Sequence, residues 1–271
     1  MKKIGIITGA SSGMGREFAL QMSDYDDIDE LWLLARRKSR LYDLEKEIKG
    51  KTKNRNLEVR GIEIDLAGRK GVSAVRALLE VEMVTNADND GFCITWLINN
   101  AGFGTYGTFE ETPLDKELDM IDINCTTLTG LCGIALKYMN KDSTIINTAS
   151  LASFLPLGNF AVYGATKAYV LSFSMALAAE VSDKGIKVCA LCPGPVSTEF
   201  ANIASNGARR EVLHGLPADK VVRHCLKKAK EGKHCAIMAL KWKFKAFASR
   251  FVGKFYGALY TYRYCKRPVK K

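Results

Sequence analysis

Two residues suited to proton transfer, Tyr163 and Lys167, lie four positions apart. On a helix, residues at this spacing project from the same face. A free tyrosine has a pKa of about 10 and therefore exchanges protons poorly at neutral pH. A neighbouring ammonium group favours the phenolate, so we expect Lys167 to lower the pKa of Tyr163 and make it a general acid or base. Ser150 could hydrogen-bond the same reacting oxygen.

A glycine-rich stretch, TGASSGMG at residues 8–15, stands between an apolar run and an amphipathic segment. Exposed N–H groups and the dipole at a helix N-terminus favour an anionic phosphate, and glycines let it approach the backbone. The spacing is G-x-x-x-G-x-G rather than the commoner G-x-G-x-x-G. Alone, the stretch would equally fit a tight turn that packs a helix on a strand.

The elements that must position these groups alternate along the chain. Apolar runs predict strands, and stretches of helical period between them predict helices. This alternation predicts an α/β fold: a single doubly wound Rossmann-type domain at residues 1–240, with a parallel sheet of about seven strands and helices on both faces. Ligands bind such sheets at the carboxyl ends of the strands. The predicted strands are 3–8, 30–35, 57–64, 92–98, 144–148, 186–191 and, more weakly, 234–240; the clearest helices are 40–49, 71–83, 114–139 and 161–182.

Further motifs follow the predicted strands in a fixed order. NNAG at 99–102 ends the fourth strand, YGATK at 163–167 begins a helix, and PG at 193–194 ends the sixth strand. Together with the glycine-rich stretch and Asp65, they resemble the classical short-chain dehydrogenase/reductase family over residues 1–200. The resemblance implies that Tyr163 is the acid/base and that Ser150 holds the substrate oxygen. It also implies that Lys167 assists Tyr163, and that Asn124 anchors a water linking Lys167 to solvent.

The resemblance implies a nicotinamide cofactor, which supplies the hydride. After the second strand the sequence reads LARRK at 34–38, without the acid that would bind a ribose hydroxyl of NAD. An arginine there pairs with a 2′-phosphate, so we predict NADP(H), with Arg36 as the leading contact and Arg37 as the second. A solvated basic turn is the alternative. The other implied cofactor residues are Gly9, Ser11, Ser12, Gly13, Met14, Gly15, Asp65, Leu66, Asn100, Ala101, Gly102, Tyr163, Lys167, Pro193, Val196 and Thr198.

Residues 199–216 are expected to form a mobile substrate lid, and apolar residues there and just past Ser150 point to a hydrophobic substrate. A hydroxysteroid such as a bile acid, or a fatty or 3-oxoacyl chain, would fit. Family members are usually homodimers or homotetramers. The apolar residues are Phe154, Leu155, Leu157, Phe200, Ile203, Val212, Leu213 and Leu216.

The net charge of +11 is a property of the C-terminal extension, residues 241–271, which holds ten Lys or Arg and no acid. The body is close to neutral, so no nucleic-acid partner is expected. Eight scattered cysteines and the lack of a long apolar run favour a cytoplasmic protein. We expect no metal site, because the C-x-x-C at 189–192 lies in a strand and the histidine–cysteine pairs at 224–225 and 234–235 fit no zinc spacing.

Two other functions stay open at this point. One is a non-catalytic NADP-binding sensor on the same fold. The other is a membrane-surface protein, because phenylalanines recur at helical spacing in the basic extension. We favour a simpler interpretation of that stripe, in which it packs on the body, closes the pocket or forms a subunit contact. The stripe consists of Phe244, Phe247, Phe251 and Phe255, accompanied by Lys243, Arg250 and Lys254.

Overall fold

The computed structural model describes residues 1–87, 91–210, 212 and 214–270. Its centre is a seven-stranded sheet in the order β3-β2-β1-β4-β5-β6-β7, and all of its pairings are parallel. This confirms the predicted doubly wound sheet. The strands are β1 Lys2–Thr8, β2 Glu30–Ala35, β3 Glu58–Glu63, β4 Phe92–Asn99, β5 Thr144–Thr148, β6 Lys187–Leu191 and β7 Cys235–Ala236.

The core lies on both faces of the sheet. Successive residues of β5 illustrate this: Ile145 belongs to one buried cluster and Ile146 to the other, because side chains alternate along a strand. Strands buried on both faces need continuous apolar runs, which is why the central strands were readable from the sequence. β7 is shorter than predicted, with only two residues.

Helices cover both faces and supply the elements of the site. Most lie close to their predicted positions, but the predicted helix at 114–139 is interrupted by a π-helical turn at Asp122–Thr127. The helices are α1 Gly13–Met22, α2 Lys38–Lys51, α3 Gly68–Thr85, α4 Leu114–Ile121, α5 Leu128–Ala135, α6 Ala161–Glu180, α7 Phe200–Ala204, α8 Ala218–Lys230, α9 Leu240–Ala248 and α10 Lys254–Tyr264.

The C-terminal helices α9 and α10 correct one expectation: their phenylalanine stripe does not pack on the body of this chain. Phe244, Phe251 and Phe255 are 70%, 78% and 72% exposed. Trp242 and small residues face inward instead. A Cβ on Gly194 would lie 2.7 Å from the Trp242 ring, and a Cβ on Gly257 would lie 2.8 Å from the Leu155 side chain. The phenylalanine rings therefore lie on the outer side of the helices.

No helix in the described part of the chain is both long and apolar enough to cross a membrane. Over the same residues, no three His, Cys, Asp or Glu side chains cluster as metal ligands would. The sulfurs of Cys192 and Cys235 lie 3.8 Å apart, a contact between β6 and β7 that the sequence did not predict.

Candidate active site

The glycine-rich loop connects β1 to α1 in a conformation that requires glycine. Gly9 and Gly13 have φ of 67° and 54°, in the left-handed region that side chains disfavour. A Cβ on Gly15 would overlap the carbonyl oxygen of Gly9. A Cβ on Gly13 would lie 3.2 Å from the Thr198 methyl group, so the loop meets the segment that follows β6. The loop therefore packs closely on itself and on the segment that follows β6, with no room for side chains at Gly13 and Gly15.

The end of β4 is bonded directly to this loop. The amides of Asn100 and Ala101 both donate to the Thr8 hydroxyl, at 2.9 and 3.0 Å. The Asn100 side chain donates to the Thr8 carbonyl at 3.2 Å. The NNAG segment thus lies beside the glycine-rich loop, as its place after a central strand predicts.

The remaining candidate cofactor residues surround the same edge. Asp65 is exposed and Leu66 is buried, with its carbonyl accepting from the Thr127 hydroxyl at 2.5 Å. Pro193 accepts from the Leu151 amide at 3.0 Å, and Val196 is buried. Met14, Ser12 and Gly102 complete the edge.

The two arginines after β2 differ in position. Arg37 donates to the Ser11 hydroxyl at 3.0 and 3.1 Å and to the Ser12 hydroxyl at 2.6 Å. Arg36 is exposed, so Arg37 rather than Arg36 contacts the loop. Arg37 also forms an ion pair with Glu199 at 2.9 Å. Its hydrogen bond, assisted by Arg40, lowers the pKa of Glu199 to about 2. Sequence reasoning missed this pair, although Glu199 directly follows Thr198.

Four polar residues lie behind the loop, around the start of α6. Tyr163 and Lys167 are 8% and 5% exposed, and the Lys167 ammonium lies 5.7 Å from the Tyr163 ring centre. Lys167 Nζ donates to the Thr148 carbonyl at 2.7 Å, at the end of β5. Ser150, two residues further, is half-buried and caps a short helical turn by accepting from the Ala152 amide.

Asn124 is fixed by the π-helical turn. Its side chain donates to the Phe103 carbonyl at 3.0 Å and to the Thr166 hydroxyl at 3.1 Å, and accepts from the Phe103 amide at 3.2 Å. A Cβ on Gly102 would lie 2.5 Å from Asn124 Oδ1 and 3.6 Å from Lys167 Nζ, so the three residues are neighbours. Such π-turns are rare and often occur at functional sites. The sequence periodicity carried no sign of it.

The pKa of Tyr163 is raised, whereas the sequence predicted that Lys167 would lower it. Burial raises the pKa of Tyr163 to about 12, although the Ser150 hydroxyl and Arg267 both act to lower it. Phe160 stacks on the Tyr163 ring at 4.1 Å and Phe200 lies at 5.3 Å. Burial also lowers the pKa of Lys167, to about 8. The cost of desolvating the phenolate exceeds the stabilisation that nearby positive charge provides.

The lid and pocket residues divide into two groups. Phe200 of α7 and Leu157 pack in the buried cluster that contains Tyr163, whereas Ile203 is exposed and Leu155 contacts the C-terminal extension. Phe154 packs on the main core, and Val212 and Leu216 are half-buried. Leu213 lies outside the described residues.

Sequence comparison decides the family. The family model for short chain dehydrogenase matches residues 3–208. The chain belongs to the short-chain dehydrogenase family. It is 32% identical to a sulfoacetaldehyde reductase of Chromohalobacter salexigens over 206 residues, which cover 74% of this chain and 75% of that protein.

Solved structures of short-chain dehydrogenases match almost the whole chain. One is a short-chain dehydrogenase from Sphingobium yanoikuyae in complex with NADPH, with a TM-score of 0.76 and 27% identity, covering 93% of this chain and 94% of that one. Another is the bulky-bulky ketone specific alcohol dehydrogenase from Comamonas testosteroni, with a TM-score of 0.73 and 26% identity, covering 93% of both chains. The protein is therefore an oxidoreductase of this family.

The residues present fit the dinucleotide cofactor of the family. Glycines at positions 9 and 15 let the loop pack against Asn100 and Ala101, where a Cβ would collide, and the loop leads into the N-terminus of α1, the kind of helix end that binds a pyrophosphate. Arg37 stands beside that loop with its guanidinium directed at two serine hydroxyls, a position suited to a phosphate.

Proposed function

We propose that this short-chain dehydrogenase interconverts a ketone and a secondary alcohol with NADP(H). The observation that carries the proposal is the buried pair Tyr163 and Lys167, with Ser150 and Asn124 beside it, at the sheet edge that holds the glycine-rich loop. A side chain held in a fixed position in this way can donate a proton to the carbonyl oxygen of a substrate.

In this mechanism the nicotinamide, when bound, supplies the hydride. Tyr163 donates the proton to the substrate carbonyl oxygen. The phenol is protonated at neutral pH, as a donor must be, but burial makes it a weaker acid, so the proton moves only as negative charge develops on the substrate oxygen. Ser150 orients the oxygen by a hydrogen bond. Lys167, whose pKa of about 8 lies near neutrality, accepts and releases a proton behind Tyr163, and Asn124 holds the backbone beside it.

The position of Arg37 supports a preference for NADP(H) over NAD(H). We propose Arg36 as an additional contact of the 2′-phosphate. Replacing both with alanine should weaken NADPH binding far more than NADH binding in fluorescence titrations. Equal losses for the two cofactors would show that the arginines bind something other than the 2′-phosphate. The Ser11 and Ser12 hydroxyls, bonded to Arg37, belong to the same subsite.

A hydrophobic substrate is supported by the aromatic surroundings of Tyr163. Phe160 and Phe200 flank its ring, and Tyr106 packs edge-on against Phe160 at 5.0 Å. Steroid and 3-oxoacyl ketones are proposed because apolar molecules of this kind pack favourably against aromatic side chains. The test is NADPH oxidation, followed by absorbance, against steroid, fatty-acyl, quinone and small ketones.

The test variant is Tyr163→Phe, which should abolish turnover and leave NADPH binding intact. Turnover by this variant would refute the role given to Tyr163. A wild-type protein that binds NADPH but reduces no ketone would instead support the non-catalytic sensor.

The exposed aromatic face of the extension favours a second role, peripheral association of this cytoplasmic enzyme with anionic membranes. Large exposed apolar patches are rare on monomers. Ten cations and no acid make an anionic surface the better partner, since a second copy of the same face would bring like charges together. The exposed rings are Phe244, Phe247, Phe251, Phe255, Tyr256, Tyr260, Tyr262 and Tyr264.

Flotation with vesicles of phosphatidylglycerol and phosphatidylcholine tests this role. The full chain should float with anionic vesicles and not with pure phosphatidylcholine. Phe251→Ser with Phe255→Ser should abolish flotation, whereas Tyr42→Ser, which removes an exposed ring on the body, should not. Loss of a dimer in the double variant, without any vesicle binding by wild type, would show a subunit contact instead.

A homodimer or homotetramer is supported by a different surface. Leu118 and Ile121 of α4 and Tyr169 of α6 are exposed on neighbouring helices. Light scattering of the wild type and of Leu118→Glu would test whether this face joins subunits.

A further inference from the structure

The C-terminal segment between Thr261 and Lys270 runs over the surface of the body near Tyr163. At one end, the Gly158 amide donates to the Thr261 hydroxyl at 2.9 Å. At the other end, the Lys270 amide donates to the Ser205 carbonyl at 3.0 Å, just past α7. The segment between these anchors is thereby held between the start of α6 and the lid, and it carries Arg267.

Arg267 lies one aromatic ring away from Tyr163. Its guanidinium carbon is 4.7 Å from the Phe160 ring centre and 5.4 Å from that of Tyr106. Phe160 in turn stacks on Tyr163. A cation over an aromatic face is attractive, so these rings fix the position of the guanidinium.

Arg267 is half-buried, and part of its hydrogen-bonding capacity finds no partner among the described residues. Its Nη1 atom is buried without a hydrogen-bond partner, and among the described residues no Asp or Glu forms an ion pair with it. Arg209 adds a second positive charge to its surroundings. A guanidinium has five N–H donors, and burying such a cation without an oxyanion is costly. The stacking on Phe160 and Tyr106 explains where the group lies, but it satisfies none of these donors.

We propose that Arg267 binds an oxyanion of the substrate, so that the enzyme acts on ketones that also carry a carboxylate or a similar acidic group. This inference rests on the proposed ketone reduction. The substrate would be held at two points, with its carbonyl at Tyr163 and Ser150 and its oxyanion at Arg267. The planar guanidinium can bind a carboxylate through two parallel hydrogen bonds, which also fixes its orientation.

Two-point binding decides which ketone of a substrate is reduced. The aromatic walls accept any apolar body of suitable width, but only a carbonyl at the right distance from the acid reaches Tyr163. The C-terminal extension therefore supplies specificity that the catalytic residues alone do not provide.

The test compares acids with their esters. An oxo-steroid carboxylic acid and a long-chain 3-oxo fatty acid, each paired with its methyl ester, are assayed with wild type, Arg267→Gln and Arg267→Lys. The control is Arg263→Gln, which removes an exposed arginine from α10. Melting curves verify that each variant is folded. Calorimetric titration of the same four compounds into the protein with NADPH measures binding independently of turnover.

We expect wild type to prefer an acid over its ester. Arg267→Gln should lower kcat/KM for that acid roughly ten- to a hundredfold, mainly through KM, because a hydrogen bond to a charged group is lost. Activity on the ester should fall much less than activity on the acid, because the ester loses only the effect of the Arg267 charge on Tyr163. Arg267→Lys should be intermediate, and Arg263→Gln should match wild type.

Equal losses of activity on acid and ester in Arg267→Gln would overturn the inference. They would show that Arg267 only holds the extension in place. Equal activity of wild type on both, unchanged in Arg267→Gln, would also overturn it. If no compound is turned over, ketone reduction of these classes fails, but acid-selective binding that disappears in Arg267→Gln would still support the oxyanion site. Absence of that binding as well would refute both.

Discussion

Replacing Glu199 with glutamine should tighten NADPH binding. In the protein alone, this carboxylate pairs with Arg37 at 2.9 Å and with Arg40 at 2.5 Å. It therefore occupies the guanidinium that we assign to the 2′-phosphate. Because the pKa of Glu199 is about 2, it stays ionised at every ordinary assay pH and competes with the phosphate throughout.

The size of the effect follows from the exposure of the pairs. All three side chains are about two-fifths exposed, and each exposed ion pair contributes about 0.2–1 kcal/mol. Removing the competitor should therefore release about 0.5–2 kcal/mol, which is about 2- to 30-fold in Kd for NADPH. NADH, which lacks the 2′-phosphate, should bind as before. The difference should shrink as ionic strength rises.

Fluorescence titration of both cofactors into wild type and Glu199→Gln measures this prediction. Glu47→Gln is the matched control, because Glu47 also pairs with two cations, Arg16 and Lys51, and has no contact with Arg37. Weaker NADPH binding in Glu199→Gln would refute the reasoning and mean that the glutamate positions Arg37. Equal tightening for NADH would mean that it acts on the lid and not by competition.

Two further predictions concern buried groups of the site. Lys167→Met should abolish turnover yet raise the free energy of unfolding at pH 7 by about 1–3 kcal/mol, because the fold lowers the pKa of the buried ammonium from 10.5 to about 8. Between those two pH values the unfolded chain binds more protons than the folded one, so the free energy of unfolding of the wild type should rise with pH, whereas that of the variant should stay level. Chemical denaturation over this pH range measures both. Parallel pH profiles of the two proteins would contradict the prediction. Gly15→Ala should lose NADPH binding, because its Cβ overlaps the Gly9 carbonyl, whereas Gly133→Ala, whose Cβ meets nothing within 4 Å in α5, should gain about 0.5–1 kcal/mol of stability. Retained binding in Gly15→Ala, measured by titration, would show that the loop can move.

The sheet and the order of the site motifs were predictable because they depend on local chain properties. Strands such as β5 are buried on both faces and stand out as short apolar runs. The helical spacing of Tyr163 and Lys167 and the glycines before α1 carry their own geometry. These features bring the candidate residues to one edge of the sheet.

What the sequence could not predict depends on contacts between distant segments. The π-helical turn at Asp122–Thr127 is held by the Thr127 hydroxyl bonding to Leu66, sixty-one residues earlier. The contact of Arg37 with the glycine-rich loop depends on Ser11 and Ser12, which lie on that distant segment. The direction of the Tyr163 pKa depends on burial under Phe160 and Phe200, which no local pattern reveals.

The division of α9 and α10 into an inner face that packs on the body and an outer face of phenylalanine and tyrosine rings has a practical use. Ala246 and Gly257 are buried against the body, so substitutions there would disturb the route that Arg267 follows to the pocket. Phe244 and Phe255 point outward and can be changed without touching that route. Left in place, the outer rings offer a ready means of immobilising the enzyme on a hydrophobic support with the pocket side intact. Replaced by acidic residues, they would yield a biocatalyst that stays dispersed at high concentration.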